Sequence, residues 1–370
     1  MHPLPVMRPQ LPTAERVLPY LSRIDVARVY SNFGPLTAEL ETRLSQHFAI
    51  PERTVATVAN ATLGLTLALL AQDVKPGSLC LMPAWTFVAS AQAAVGAGLV
   101  PFFVDVSPAT WALELAAIAT TLAAAPGEVG AVMPVMPFGR PIDFDGWDRF
   151  RSTSGIPVVI DAAAGFDAVK PTATPTVVSL HATKALGIGE GGLVICSERA
   201  LIREIRTRSN FGFDGSRNAL RTAMNAKLSE YQAAVGLAAL DEWPTARSEW
   251  YDLAQAYRSR LCDRSSALLQ HEFGESWISS VCVLALRDED ASQAEGRLLD
   301  AGVESRRWWS AGAHAQIATQ RYPRTALPVT TVLANATIGV PFFRGMGGPD
   351  IERVVQVLGA PDRTRLAPID

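Results

Sequence analysis

Cysteine is scarce in this 370-residue chain. Cys80, Cys196, Cys262 and Cys282 lie far apart and form no CxxC pair, which excludes a disulfide framework and a zinc site of the usual spacing. Reduced thiols in a cytoplasm are the expectation. Charge is also sparse. Charged residues make up 19% of the chain, the formal net charge is −3, and no basic stripe alternates with aromatics, so nucleic acid is not an expected partner. Long apolar runs are missing. The stretches 63–71 and 89–104 are broken by Gly, Pro or polar residues and fall short of the roughly 20 residues a membrane helix needs. The opening MHPLPVMRPQLP has no apolar core after a basic start, so it does not read as a secretory signal. No repeat or low-complexity segment occurs. A soluble cytoplasmic protein, with no membrane and no nucleic acid among its partners, is expected.

What is abundant is apolar sequence, 48% of the chain, in short runs. Residues 78–82 (SLCLM), 100–104 (VPFFV), 131–136 (AVMPVM), 157–160 (PVVI), 176–180 (TVVSL) and 193–196 (LVIC) read as buried strands. Helical stretches such as 63–72 and 113–124 lie between several of them. Strands separated by helices imply crossover connections and a mostly parallel sheet, and continuous apolar strands imply helices on both faces. The pattern changes near Trp243-Pro244, where a long amphipathic stretch (246–261) precedes shorter strand candidates such as 278–286. The fold class expected is α/β, with a large domain at 1–240 and a smaller α+β domain at 241–370.

In an open parallel sheet, ligands bind beyond the carboxyl ends of the strands. Four groups fall there. Asp161 follows PVVI and reads either as a carboxylate facing the crevice or as a helix N-cap. Lys184 closes SLHATK (179–184), beyond the next strand. A lysine there is a Schiff-base nucleophile if its surroundings lower its pKa, and otherwise an ordinary solvated lysine. The glycine run 187–192 (GIGEGG) serves close backbone approach or a plain turn. Ala59-Asn60-Ala61-Thr62 precedes an apolar helix, whose start is either an anion site or a simple cap at Asn60. Phe87, after the strand SLCLM, reads as a stacking aromatic or a core one. Pyridoxal phosphate requires a lysine for its aldehyde, a carboxylate for its ring nitrogen, a phosphate cradle and a flat group against the ring, and these pieces meet all four demands.

The same residues carry a resemblance to the DegT/DnrJ/EryC1/StrS family of fold-type-I, pyridoxal-phosphate sugar aminotransferases. It rests on SNFGPLTAELETRLSQHF (31–48), VANATLGLTLAL (58–69), PAWTFVASAQA (83–93) and PFFVDVSPATW (101–111). IDAAAG, SLHATK with GEGG, and NAKLSEYQAAVGLAAL (225–240) complete it, all in the family's order. The resemblance implies that Lys184 binds the cofactor's aldehyde and Asp161 partners the pyridinium. Ala61, Thr62 and Ser179 would hold the phosphate and Phe87 would cover the ring. Asn225 would reach the phosphate from the neighbouring subunit of a homodimer. One position departs from the family's pattern: Ala164 stands where a Gln or His would contact the cofactor near its phenolic oxygen.

The expected activity is amino transfer from glutamate to a nucleotide-linked keto-sugar. SNFGPL and PAWTFV look most like enzymes acting at C4 of 4-keto-6-deoxyhexose nucleotides, although C3 enzymes share nearly all these motifs. Relatives that dehydrate sugars carry histidine in place of the lysine, whereas Lys184 is present here. The rivals are an eliminating enzyme with the same cofactor and a non-catalytic regulatory protein on the same fold. Substrate contacts are expected from Asn32, Phe33, Arg306 and Trp308. In the segment RRWW (306–309), arginine suits diphosphate and tryptophan suits a base or sugar, though a surface patch explains it equally.

Overall fold

The computed structural model describes residues 2–261, 266–287 and 289–359. Cys262 lies outside them; Cys80, Cys196 and Cys282 are buried free thiols. The chain opens with α1 (Ala14–Ala27), α2 (Pro35–His47), β1 (Val55–Val58) and α3 (Ala61–Leu70). Then β2 (Leu79–Pro83), α4 (Val88–Gly96), β3 (Val100–Val104), α5 (Leu115–Ala123), β4 (Val129–Val132) and α6 (Phe144–Ser154) alternate. β5 (Ile160–Asp161), β6 (Thr176–Ser179) and β7 (Gly192–Ile195) follow, with α7 (Arg199–Ser209) and the long α8 (Glu230–Arg260) after them. The C-terminal part holds β8 (Ala267–Leu269), β9 (Cys282–Leu286), α9 (Ala291–Asp300), α10 (Pro328–Ala336), β10 (Thr337–Val340) and α11 (Gly348–Gly359).

Parallel strands in the order β3-β2-β4 meet the group β5-β6-β7-β1 through the parallel bridges Val132–Val158 and Val135–Asp161. The result is one mostly parallel surface in which only β7 opposes its neighbours, β6 and β1. The reason is local. Residues 180–191 join β6 to β7 without a crossover helix, so β7 must return antiparallel. β1, β2, β6 and β7 are buried at every residue, as continuous apolar runs require. β8, β9 and β10 form a separate antiparallel sheet.

Two strand expectations shrink. The runs 131–136 and 157–160 pair as regular strands only at β4 and β5, because Pro134 and Pro157 have no N–H to give the ladder. The break read at Trp243-Pro244 does not interrupt the helix. α8 runs 31 residues through Pro244, and residue 240, the boundary expected between two domains, falls inside it. Proline removes one helical hydrogen bond. The buried stripe Leu237, Leu240, Trp243, Ala246 and Trp250 holds the helix across that gap, in a core continuous with residues of both sheets.

The start of α8 organises its surroundings. Ser229 and Gln232 form a capping box, and the Gln232 amide donates to the Glu190 carbonyl in the β6–β7 loop at 3.0 Å. The buried Glu230 carboxylate accepts the N–H groups of Leu36 and Thr37, both at 2.8 Å, and so caps α2.

Candidate active site

The carboxyl ends of β5 and β6 and the amino end of α3 converge on one cavity of about 380 Å³. Asp161 ends β5 and is 5% exposed. Its carboxylate accepts the Ser90 hydroxyl at 2.7 Å and the Ala163 N–H at 3.1 Å, and Ser90 in turn meets the Thr86 hydroxyl at 2.8 Å. No helix starts at Asp161, so the N-cap reading does not hold: the nearest helical turn begins at Phe166. Burial pushes the Asp161 pKa up, against the pull of Ser90, Ala163 and the charge of Lys184. Lys184 lies in the β6–β7 loop, with its N–H donating to the His181 carbonyl at 2.9 Å. Burial lowers its pKa while the charge of Asp161 opposes the shift. It is the one lysine or arginine among the described residues lining the cavity.

At α3, the cap reading holds, and it does not exclude the other. The Asn60 side chain accepts the Leu63 N–H at 2.9 Å as a cap. That leaves the N–H groups of Ala61 and Thr62, the first residues of the helix, without a partner among the described residues and at the positive end of its dipole. The glycine run is more than a turn. Gly189 has φ +100°, and a Cβ at Gly192 would sit 2.7 Å from the Ala61 nitrogen, so Gly192 lets the loop close against the start of α3. Phe87 is not a core residue; it is 56% exposed and lines the cavity.

Ala61, Thr62, Phe87, Asp161, Ser179, Lys184 and Trp308 thus share one cavity, which Ala164 also lines. The remaining expected contacts do not line it within one chain. Phe33 faces a separate cavity of about 830 Å³, beneath the Arg206 guanidinium, and Asn32 precedes it with φ +63°. Asn225 is exposed, its amide oxygen accepting the Lys227 ammonium at 2.7 Å. Arg306 is exposed over the Trp308 ring, its backbone paired with Gly339. Arg307 reaches the Ala334 carbonyl. Only the two tryptophans of RRWW reach the cavity. Sequence reasoning missed Ser90, Phe138 and Met7. Thr86 and Ser90, four residues apart after β2, gave a signal for a polar pair on one helical face; the others gave none.

A lysine, a buried carboxylate fixed by two donors, free N–H groups at a helix start and an exposed ring are what pyridoxal phosphate needs, so the donor set fits it. Sequence comparison agrees. The DegT/DnrJ/EryC1/StrS aminotransferase family matches residues 13–359, and the chain belongs to it. It is a pyridoxal-phosphate-dependent sugar aminotransferase by class. Protein Rv3402c of Mycobacterium tuberculosis is 27% identical over 95% of this chain and 88% of its own. The dTDP-4-amino-4,6-dideoxy-D-glucose transaminase of Shigella dysenteriae is 31% identical over 70% of this chain and 71% of its own. The solved structure of DesI with its TDP-sugar product superposes with a TM-score of 0.86 at 30% identity, covering 97% of this chain and 92% of DesI.

Gly192→Ala is expected to weaken pyridoxal phosphate binding at least about tenfold, about 1.4 kcal/mol, when the cofactor is titrated into the stripped protein. The added methyl group can be accommodated only by moving the start of α3. Unchanged affinity would show that this helix end does not hold the phosphate.

Proposed function

We propose that the chain transfers an amino group from glutamate to a 4-keto-6-deoxyhexose nucleotide. The observation that carries this reading is the convergence of Lys184, Asp161, the start of α3 and Phe87 on a single cavity. The sugar class is supported by the name of the Shigella relative and by the TDP-sugar product in the DesI structure.

Bound there, pyridoxal phosphate supplies an aldehyde for amine exchange and a ring that draws electrons from the reacting carbon. The protein's residues do the rest. Lys184 would hold the cofactor between turnovers, and its Nζ, when free, would take and return the proton of the reacting carbon. Burial helps, because a lowered pKa leaves the amine neutral closer to the working pH. Asp161 sets a negative charge against the ring nitrogen, with Ser90 and Ala163 favouring the ionised carboxylate against burial. Ala61 and Thr62 offer N–H groups to the phosphate, Thr62 and Ser179 offer hydroxyls, and Phe87 covers the ring. Isotopically labelled glutamate should place its nitrogen in the sugar product; label that never leaves the glutamate would refute the donor.

The same proposal makes the working unit a homodimer. Asn225, exposed in one chain, completes the partner's phosphate site, and a symmetric dimer makes that contact twice. Mixing a Lys184→Ala chain with an Asn225→Ala chain gives heterodimers with one site carrying both defects and one carrying neither. Activity should partly return. No recovery in verified heterodimers, or a monomer by light scattering, would refute the shared site.

A further inference from the structure

Apolar side chains make up much of the cavity lining, and one of them comes from an unexpected place. Residues near the amino terminus run along the C-terminal part of the chain. The Leu4 N–H donates to the Gly302 carbonyl at 2.9 Å, and the Glu304 N–H donates back to Leu4 at 2.8 Å. The Val6 N–H donates to the Glu304 carboxylate at 3.1 Å, and its carbonyl accepts the Phe342 N–H at 3.1 Å. Leu4 and Val6 are buried, 6% and 3% exposed, while the Arg8 guanidinium lies 5.0 Å from the centre of the Phe343 ring. Leu4 and Val6 are buried in the core, whereas Met7 lines the cavity that holds Lys184. It is fastened on both sides, so its position is fixed by the fold.

Met7 joins a hydrophobic wall. Phe138 and Trp309 stack with ring centres 3.9 Å apart, and Val281 and Trp308 pack into the same cluster. Phe138 has φ +56°, a conformation that a bulky residue holds only when its surroundings impose it. Ser280, next to Val281, adds a hydroxyl to the lining.

We propose that Met7 is a specificity-determining residue: with Phe138, Val281, Trp308 and Trp309 it forms the surface that receives the unhydroxylated C6 edge of a 6-deoxy sugar. The inference rests on the keto-sugar reading above. A methyl group gains by contact with this wall, whereas a hydroxyl there must give up water with few partners in return. Such a wall discriminates moderately, because an apolar site rejects an added hydroxyl by at most about 100-fold. Met7 is suited to the task as an unbranched side chain that adapts to aromatic neighbours.

The test compares a 6-deoxy and a 6-hydroxy keto-sugar nucleotide on the cofactor-loaded wild type, Met7→Gln and Met7→Leu. The segment is held by backbone hydrogen bonds and by Leu4 and Val6, so these substitutions leave its anchoring in place. Wild type is expected to favour the 6-deoxy sugar at least about tenfold in kcat/KM. Met7→Gln should cut that preference at least about fivefold, through KM, while Met7→Leu keeps it. The glutamate half-reaction should stay within about twofold in both variants, and calorimetry should show the same change in preference as sugar affinity without turnover. A preference unchanged in Met7→Gln, or an equal loss for both sugars and for glutamate, would overturn the assignment of Met7. Wild type that aminates neither sugar would instead overturn the keto-sugar reading beneath it.

Discussion

Lys184→Ala should purify without covalently held pyridoxal phosphate, and borohydride should fix no cofactor to it. Transfer activity should fall at least about 1000-fold, about 4 kcal/mol of barrier. The size of the effect follows from two roles lost at once. In the proposed mechanism the lysine is both the anchor of the cofactor and the base that moves the proton, and positioned proton transfer alone contributes about 100- to 10,000-fold. No replacement is at hand, since Lys184 is the one lysine among the described residues lining the cavity. His181 lines it too, but its Nδ1 faces the Thr183 hydroxyl at 2.9 Å. Cofactor still fixed by borohydride in Lys184→Ala would place the anchor elsewhere.

Asp161→Asn should fold and yet lose at least about 100-fold in transfer, about 2.7 kcal/mol. The amide keeps the shape, with its oxygen placed to accept from the Ala163 N–H and its NH2 placed to donate to the Ser90 hydroxyl, but it carries no charge against the ring nitrogen. The variant also has a second signature. The charge of Asp161 raises the pKa of Lys184 and burial lowers it. Removing that charge leaves burial unopposed, so the Lys184 pKa falls further. In cofactor-free protein, the rate of reconstitution with pyridoxal phosphate follows the neutral amine and rises with pH. Its midpoint should already lie below the ordinary lysine value in wild type and move to lower pH in Asp161→Asn. Residual transfer within about tenfold of wild type, about 1.4 kcal/mol, would reduce Asp161 to a residue of the local turn.

How much of this was legible in the sequence depends on how local each signal is. Asp161, Lys184 and the Asn60–Thr62 helix start are each placed by the strand or helix beside them, and a short apolar run next to a polar residue is enough to find them. Continuous apolar strands likewise disclosed the covered sheet. Proline was a poor guide to α8, because the packing of Trp243 and Trp250 outweighs one missing hydrogen bond. The far side of the cavity left no trace in the sequence. Met7, Phe138 and Val281 come from three distant segments and share the cavity only through tertiary packing. RRWW was half readable: its tryptophans reach the cavity, while Arg306 and Arg307 are taken by a ring face and a backbone carbonyl. Asn32 and Phe33 were singled out by motif, yet the positive φ of both turns this segment onto a different cavity.

The most direct measurement loads the protein with pyridoxamine phosphate and adds a panel of keto-sugar nucleotides, one at a time, in a single turnover followed by mass spectrometry. At least one 4-keto-6-deoxyhexose nucleotide should emerge with its carbonyl oxygen replaced by an amino group, while the cofactor absorbance changes in equal amount and Lys184→Ala gives no product. A panel returned unaltered, or a sugar that loses water without gaining nitrogen, would contradict amino transfer to a nucleotide sugar.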